Sequence, residues 1–310
     1  MNETPLVSII IPVYNGSNYL REAIDSALAQ TYSNIEIVVV NDGSCDNGQT
    51  EEIALSYEDK IRYISKPNGG VSSALNLGIS QMKGEYFSWL SHDDKYTERK
   101  VEKQVALLQK YKNERVIALC ESRFIDKNSK AISHKNKDRF ALEHIEWGAA
   151  LKDLFKNGTY NGCSFLIPRK YFYECGVFEE ELRFAQDTLM WAKILLSKCS
   201  IVYENCVGVL SRIHEHQQTQ KSRHLLAHDS LVIAEYMVPR LVQLNDKQAI
   251  YYFAKRNAKL YNRAVVRLCV KEGRIKGIKH LKLCLFTLYG FFRPTVRKVY
   301  YSIFQKVKTS

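Results

Sequence analysis

Four aspartates in this chain have neighbours that could put them to chemical use. Asp42 lies in Asn41-Asp42-Gly43-Ser44, directly after an apolar run at residues 35–40. A carboxylate at a strand end can accept hydrogen bonds from a nucleobase imide or a ribose hydroxyl; an Asp-Gly pair there is equally an ordinary turn. Asp93 and Asp94 close Ser91-His92-Asp93-Asp94, after a second apolar run at 85–90. Adjacent carboxylates repel in a low-dielectric crevice, and a divalent cation removes that penalty. Mg2+ or Mn2+ prefers hard oxygen ligands, can hold a diphosphate at the same time, and neutralises charge on a departing nucleoside diphosphate. The competing reading is a solvated cap for a helix over 97–111, since Asp favours helix N-termini. Asp187, in Gln186-Asp187, precedes an apolar helical run at 188–196. It is either a helix cap or a general base that takes the proton of an attacking hydroxyl. The stretch SRIHEHQQT at 211–219 adds Arg212 and His214. His214 could ligate the same metal and Arg212 could touch phosphate, against the structural or surface role that isolated histidines usually have.

These groups meet only if the elements between them bring them together. Residues 7–11, 35–40, 61–64, 85–90 and 116–120 are short runs rich in β-branched or aromatic residues, each closed by Pro, Gly, Asn or Asp or by a polar segment. Buried parallel strands have this form. Between them, 17–30, 47–57, 71–82 and 97–111 allow helices, with apolar spacing such as Leu20, Ala23, Ile24, Ala27 and Leu28. Strand and helix in alternation with short links give a doubly wound, mostly parallel α/β sheet. Its ligand crevice lies along the C-terminal ends of the strands, so Asp42, Asn68 and Asp93 should converge there. No G-x-G-x-x-G follows the first strand and no G-x-x-x-x-G-K-[ST] occurs. A dinucleotide-binding fold and a P-loop ATPase lose support on that ground.

The charge is unevenly placed. Of the net +12, residues 251–310 carry 15 Lys or Arg against one acid, Glu272, while residues 1–250 carry 30 bases against 32 acids. A main domain near neutrality has no positive footprint for nucleic-acid backbone, which argues against that partner and leaves it the third reading of the basic tail. Eight cysteines without C-x-x-C spacing are neither a disulfide scaffold nor a zinc site and fit a reduced, cytoplasmic setting. The start, MNETPLVSIIIPV, lacks a basic segment and is broken by Pro12, so it does not read as a signal peptide. The run at 281–292 is twelve residues long, too short for the roughly 20 that cross a bilayer.

Seven segments in order then carry a resemblance. They are PVYNG (12–16), NDGS (41–44), KPNGG (66–70), GEYFSWLSHDD (84–94), GCSFLIPR (162–169), GVFEEELRFAQD (176–187) and SRIHEHQQT (211–219). Over roughly residues 5–220 the chain resembles the family 2 glycosyltransferases of GT-A fold. The resemblance implies an inverting, metal-dependent enzyme using a nucleotide-diphospho sugar. UDP-sugars come first as donor, with dTDP- and GDP-sugars open. It implies that Pro12, Tyr14, Asn15 and Asp42 hold the nucleobase and that Lys66, Asn68 and Gly69 shape the donor cleft. Ser91, His92 and Asp93 would line the donor site. Asp93, joined by His214, would bind Mn2+ or Mg2+, and Asp187 would be the catalytic base. The chain departs from the family's D-x-D-D at Ser91 and from its Glu-Asp at Gln186.

The expected organisation is a GT-A catalytic domain over 1–220, with a nucleotide-sugar half (1–120) and an acceptor half (121–220). A basic, amphipathic helical extension over 221–310 follows. Basic helices with apolar faces lie on anionic membranes, each near-surface Lys or Arg adding about 1 kcal/mol. That suits a lipid-linked saccharide acceptor, a place on the inner face of the cell membrane, and the synthesis of capsule, cell wall or O-antigen. A helical cap with a solvated basic face is the plainer reading of the extension. A non-catalytic nucleotide-sugar or glycan-binding module is the alternative for the whole.

Overall fold

The computed structural model describes residues 4–132, 139–215, 217, 225–259, 262–273, 275–276 and 283. The chain divides into two compact units: Met1–Ala150 with Thr159–Arg223, and Leu151–Gly158 with His224–Ser310.

The first unit is built on a mixed sheet. β1 (Val7–Val13) is buried along its whole length, because helices cover both faces of a central parallel strand. It pairs in parallel with β2 (Ile35–Asn41) on one side and β4 (Tyr86–Trp89) on the other, and β2 pairs in parallel with β3 (Arg62–Ser65). The strand extends past the expected residues 7–11. Pro12 is therefore a buried strand residue, and Tyr14 is the first exposed side chain after it. Pro12 is tolerated because β4 ends opposite Ile10, so its missing N–H costs no ladder bond on that edge. Helices α1 (Leu20–Leu28), α2 (Gln49–Leu55) and α3 (Val71–Gln81) fill the crossovers. α3 lies close to β1: a Cβ on Gly78 would fall 2.3 Å from Ile10 Cγ2.

Past β4 the simple alternation stops. After β5 (Lys95–Tyr96) and α4 (Lys100–Lys110), β6 (Val116–Ile125) does not join β4. β8 (Phe165–Pro168) lies between them, antiparallel to both. β9 (Ser200–Arg212) then runs parallel to β6 and also pairs with β5 and with β7 (His144–Ile145). The order is β3-β2-β1-β4-β8-β6-β9-β5, with β7 on β9. The doubly wound pattern thus holds for the first four strands; beyond β4 the described pairings are antiparallel except that of β6 with β9, so the sheet as a whole is mixed.

The seam where direction reverses leaves backbone carbonyls that a regular ladder would have satisfied. Two buried polar side chains of α4 serve them. Gln104 donates to Ser164 O (2.7 Å) and Ala118 O (3.4 Å). Lys100, 1% exposed, donates to Ser88 Oγ (2.8 Å) and Phe165 O (3.3 Å), its Nζ 4.0 Å from the Tyr96 ring centroid.

The second unit is helical. It contains residues 151–157 of α5 (Trp147–Asn157) and α8 (Leu226–Gln243), α9 (Lys247–Lys259) and α10 (Arg263–Glu272); α6 (Lys170–Cys175) and α7 (Gln186–Leu196) belong to the first. Phe155 packs on Phe253 with centroids 4.8 Å apart, and Arg256 donates to Leu154 O at 2.9 Å. Phe253, Val265 and Val266 are buried. These apolar residues of the basic extension are therefore core. The run at 281–292 lies outside the described residues, apart from Leu283. Among the described residues no helix is long and apolar enough to cross a membrane.

Burial pushes the Lys100 ammonium down to about 8. Below pH 8 the fold must hold a charged amine that water would solvate better; above it the folded chain releases the proton before the unfolded chain does. The charge penalty is therefore full below pH 8 and is relieved as pH rises. Wild-type stability relative to Lys100→Met should rise by about 2 kcal/mol between pH 7 and 9.5. Urea unfolding of both proteins across that range measures it, and a constant difference would contradict the assignment.

Candidate active site

The C-terminal ends of β1, β2 and β4 carry the first group of expected site residues. Asp42, 3% exposed, follows β2. Its carboxylate accepts from Lys66 Nζ (2.8 Å), Gly69 N (2.9 Å) and Gly70 N (2.7 Å), and its carbonyl accepts from Asn68 Nδ2 (2.9 Å). Asp42, Lys66, Asn68 and Gly69 thus form one construction. The turn at Gly43, at φ 69, lets the chain pass Asn68: a Cβ there would sit 2.6 Å from Asn68 N. The neighbouring loop joins it. Asn15, in the left-handed region at φ 50, donates its N–H to Ser44 Oγ (2.9 Å) and accepts from Cys45 N (2.7 Å). Tyr14, 46% exposed, has its hydroxyl 3.5 Å from Cys45 Sγ. A half-exposed aromatic ring beside backbone-rich turns has the chemistry of a nucleobase platform.

The loop after β4 touches the first. A Cβ on Gly16 would fall 2.6 Å from the His92 ring. Burial draws the His92 imidazole below its ordinary value, against the pull of Asp93. The two adjacent aspartates then take different work. Asp94 turns inward, accepting from Arg212 N (2.8 Å) and Ser211 Oγ (3.3 Å). Burial, with the Asp93 charge beside it, pushes Asp94 up to about 7. Asp93 Oδ2 lies 3.0 Å from His214 Nε2. Burial acts to raise Asp93, but the His214 hydrogen bond and the field of His92 hold it below the usual carboxylate range. Asp93 therefore carries the charge of the pair.

Arg212 is not a surface cation. Its side chain is 0% exposed. Nε donates to Asp93 O (2.9 Å), Nη1 to Ser129 Oγ (3.0 Å) and to the carbonyls of Asp126 and Lys127 (3.3 Å each), and Nη2 to Glu22 Oε2 (3.1 Å). The guanidinium lies 4.2 Å from the Tyr19 ring centroid. These partners remove it from phosphate binding and make it the pin of the Asp93 loop. Its partners lie far away in sequence, and no local pattern announces them.

Asp187 is the second residue of α7 rather than its cap, which is Ala185. Its Oδ2 accepts from Thr159 Oγ1 at 3.3 Å. Thr159 begins a strap that reaches the Asp93 loop. Asn161 Nδ2 donates to Ser211 Oγ (3.4 Å), which in turn reaches Asp94. Cys163 Sγ accepts from Ser91 N (3.3 Å) and lies 3.4 Å from Ser91 Oγ. Gly162 lets the strap cross Trp89, whose ring a Cβ would meet at 2.4 Å. Thr159, Asn161 and Cys163 were not singled out from sequence; the GCSFLIPR motif beginning at 162 was the available signal.

Among the described residues no group of three or more His, Cys, Asp or Glu forms a metal cage. Asp93 and His214 nonetheless fit a cation that takes its other ligands from a diphosphate and water. They supply one oxygen and one nitrogen donor, joined here by a hydrogen bond that a cation would have to replace.

Arg212→Met should lower unfolding free energy by about 3 kcal/mol, because it strands buried carbonyls and removes a buried charge partner. Denaturant titration reads this; a loss under about 1 kcal/mol would show the network to be dispensable.

The profile described as Glycosyl transferase family 2 matches residues 8–180. An uncharacterized glycosyltransferase of Rickettsia typhi is 50% identical, over 72% of this chain and 69% of that protein. One from Rickettsia bellii is 53% identical over 70% of this chain but 31% of its own length. The chain spans about a third of several such relatives. Among solved structures, S. aureus TarS 1-349 in complex with UDP-GlcNAc aligns with a TM-score of 0.60 at 17% identity, covering 87% of this chain and 89% of that one. That likeness supports the fold alone. The matched profile and the identity to the Rickettsia proteins establish that this chain belongs to glycosyl transferase family 2.

Proposed function

We propose that the chain is an inverting glycosyltransferase that moves a sugar from a nucleoside-diphosphate donor to a hydroxyl of a saccharide acceptor. The observation that carries this reading is the strap at 159–163. It joins the loop of Asp93 to the side chain of Asp187 through Thr159, Asn161, Ser211 and Cys163. A proton acceptor and a cation-holding pair are thereby linked to one piece of backbone.

In this reading the nucleobase rests by Tyr14 and Asn15, at the turn organised by Asp42. Lys66, Asn68 and Gly69 border the donor, with Ser91, His92 and Asp93 beneath it. Asp93 and His214 would hold Mn2+ or Mg2+, which when bound offsets charge on the diphosphate leaving group. Asp187 takes the proton of the acceptor hydroxyl as that oxygen bonds to the anomeric carbon. The bond from that carbon to the diphosphate breaks on the opposite face, so one displacement inverts the centre without a covalent intermediate. A groove of about 560 Å³ is lined by Phe140, Leu142, Glu143, Tyr203 and Glu204. Aromatic faces with carboxylates suit a saccharide. The TarS complex contains UDP-GlcNAc, which makes UDP-sugars the first donors to test here. The basic residues of the second unit favour an anionic membrane surface and a lipid-linked acceptor, as in surface-polysaccharide synthesis.

Incubation with UDP-, dTDP- and GDP-sugars, Mn2+ and candidate acceptors should give transfer. Asp187→Asn should cut turnover about a thousand-fold while leaving nucleotide affinity within about threefold; near-normal transfer would remove Asp187 as the base. Asp93→Ala should weaken Mn2+-dependent nucleotide binding by about 10- to 100-fold, and unchanged affinity would reject the ligand assignment. Full-length protein should sediment with phosphatidylglycerol vesicles and not with phosphatidylcholine vesicles, less so as salt rises. Equal binding to both would end the membrane proposal.

A further inference from the structure

We infer that Arg183 is a positioning residue for the donor site: it fixes the peptide that orients Asp42 and ties that peptide to the segment delivering Asp187. The inference rests on the glycosyltransferase reading and assigns a task to a residue outside it.

The argument turns on one peptide unit. The Gly69–Gly70 peptide presents its N–H to Asp42 Oδ2 at 2.7 Å and its carbonyl to Arg183 Nη1 at 2.8 Å. It is bridged between an anion and a cation, so each hydrogen bond polarises the peptide in favour of the other. Glycine on both sides leaves the peptide few steric barriers to rotation. A flip would break both contacts and deprive the buried Asp42 carboxylate of one of its three donors. Arg183 supplies the restraint that the glycines omit. The fit is close, since a Cβ on Gly70 would fall 2.2 Å from Arg183 Nη1. Gly70 is also at φ 89, which favours glycine independently.

Arg183 is held from its own side. Asn76, in α3, accepts from Phe178 N (3.0 Å) and donates to Phe178 O (2.9 Å) and Glu180 Oε1 (2.9 Å). The segment leading to α7 is thus docked along α3, with Arg183 over the loop that opens that helix. Four residues later comes Asp187. Arg183 thereby links the donor loop to the segment that leads into Asp187.

The test is titration of the wild-type chain, Arg183→Met and Arg183→Lys with UDP, dTDP and GDP in the presence of Mn2+, with thermal unfolding recorded alongside. Arg183 is exposed, so the variants should keep the wild-type midpoint. Arg183→Met should bind the preferred nucleotide about tenfold more weakly, the scale of one charge-assisted hydrogen bond. Arg183→Lys, which can still donate to Gly69 O, should recover most of that loss. In turnover, the Met variant should raise the donor KM more than it lowers kcat. If the wild-type chain binds none of the three nucleotides, the donor reading fails and this inference with it. If the wild type binds and Arg183→Met binds equally well, the positioning role alone is overturned. A loss that Lys does not restore, or one that tracks a lowered melting midpoint, also overturns it.

Discussion

A guanidinium shut away from water must find acceptors inside the protein, and Arg212 finds them in three separate segments. Glu22 on α1, the carbonyl of Asp93, and the turn at Asp126, Lys127 and Ser129 all accept from it. Leaving any of these unpaired in the interior costs more than the bond contributes when made. The end of β9, the loop after β4 and the first helix therefore keep one arrangement. His214 lies two residues beyond Arg212, so the same pin sets where the imidazole meets Asp93. Burial pulls Glu22 toward protonation, but hydrogen bonds from Ser129 and Lys95 and the charge of Arg212 hold it ionised, below the usual carboxylate range.

The carboxylates divide by how completely the protein satisfies them. Asp42 is met by two backbone amides and an ammonium, and its first task is to shape a turn. Asp94 is met by a backbone amide of β9 and, raised by burial, is poorly suited to bear a full charge near neutral pH. Asp93 remains, paired with an imidazole that is itself a metal ligand type. One ionised carboxylate in a partly enclosed crevice is a modest anionic field. A cation bound there would keep most of its charge for a phosphate rather than spend it on the protein. Asp187 differs again. Its carboxylate accepts from the hydroxyl of Thr159 and from the backbone N–H and hydroxyl of Thr188 next to it.

The parallel half of the fold was legible in the sequence because it is local. Residues 7–13, 35–41 and 71–81 announce themselves by β-branched runs and helical spacing, and the polar ends of the strands mark the crevice. The convergence of Asp42 with Lys66, Asn68 and Gly69 follows from that topology. What was hidden is non-local or irregular. The insertion of β8 between β4 and β6 depends on a four-residue strand too short to signal direction. The buried work of Lys100, Gln104 and Arg212 contradicts the ordinary expectation that such side chains face water. Pro12 reads as a strand terminator until the early end of β4 is known. The packing of Phe253, Val265 and Val266 was hidden for a related reason: helical spacing says that a face is apolar, not what covers it.

Ser91 shows how the departures from the family pattern can be weighed physically. Its amide and hydroxyl both lie against the Cys163 sulfur, and burial, with Asp94 nearby, holds that thiol protonated, well above its ordinary range. An aspartate here would place a third carboxylate beside Asp93 and Asp94, facing a thiol that is a poor donor. The crevice as built avoids that charge. Gln186 does the same beside Asp187, where a second acid would raise the proton affinity of the first. The two changes act in one direction. They leave one acidic side chain fewer on each side of the strap, beside Asp93 and beside Asp187. The strap at 159–163 is bonded to both neighbourhoods, through Thr159 to Asp187 and through Cys163 to Ser91.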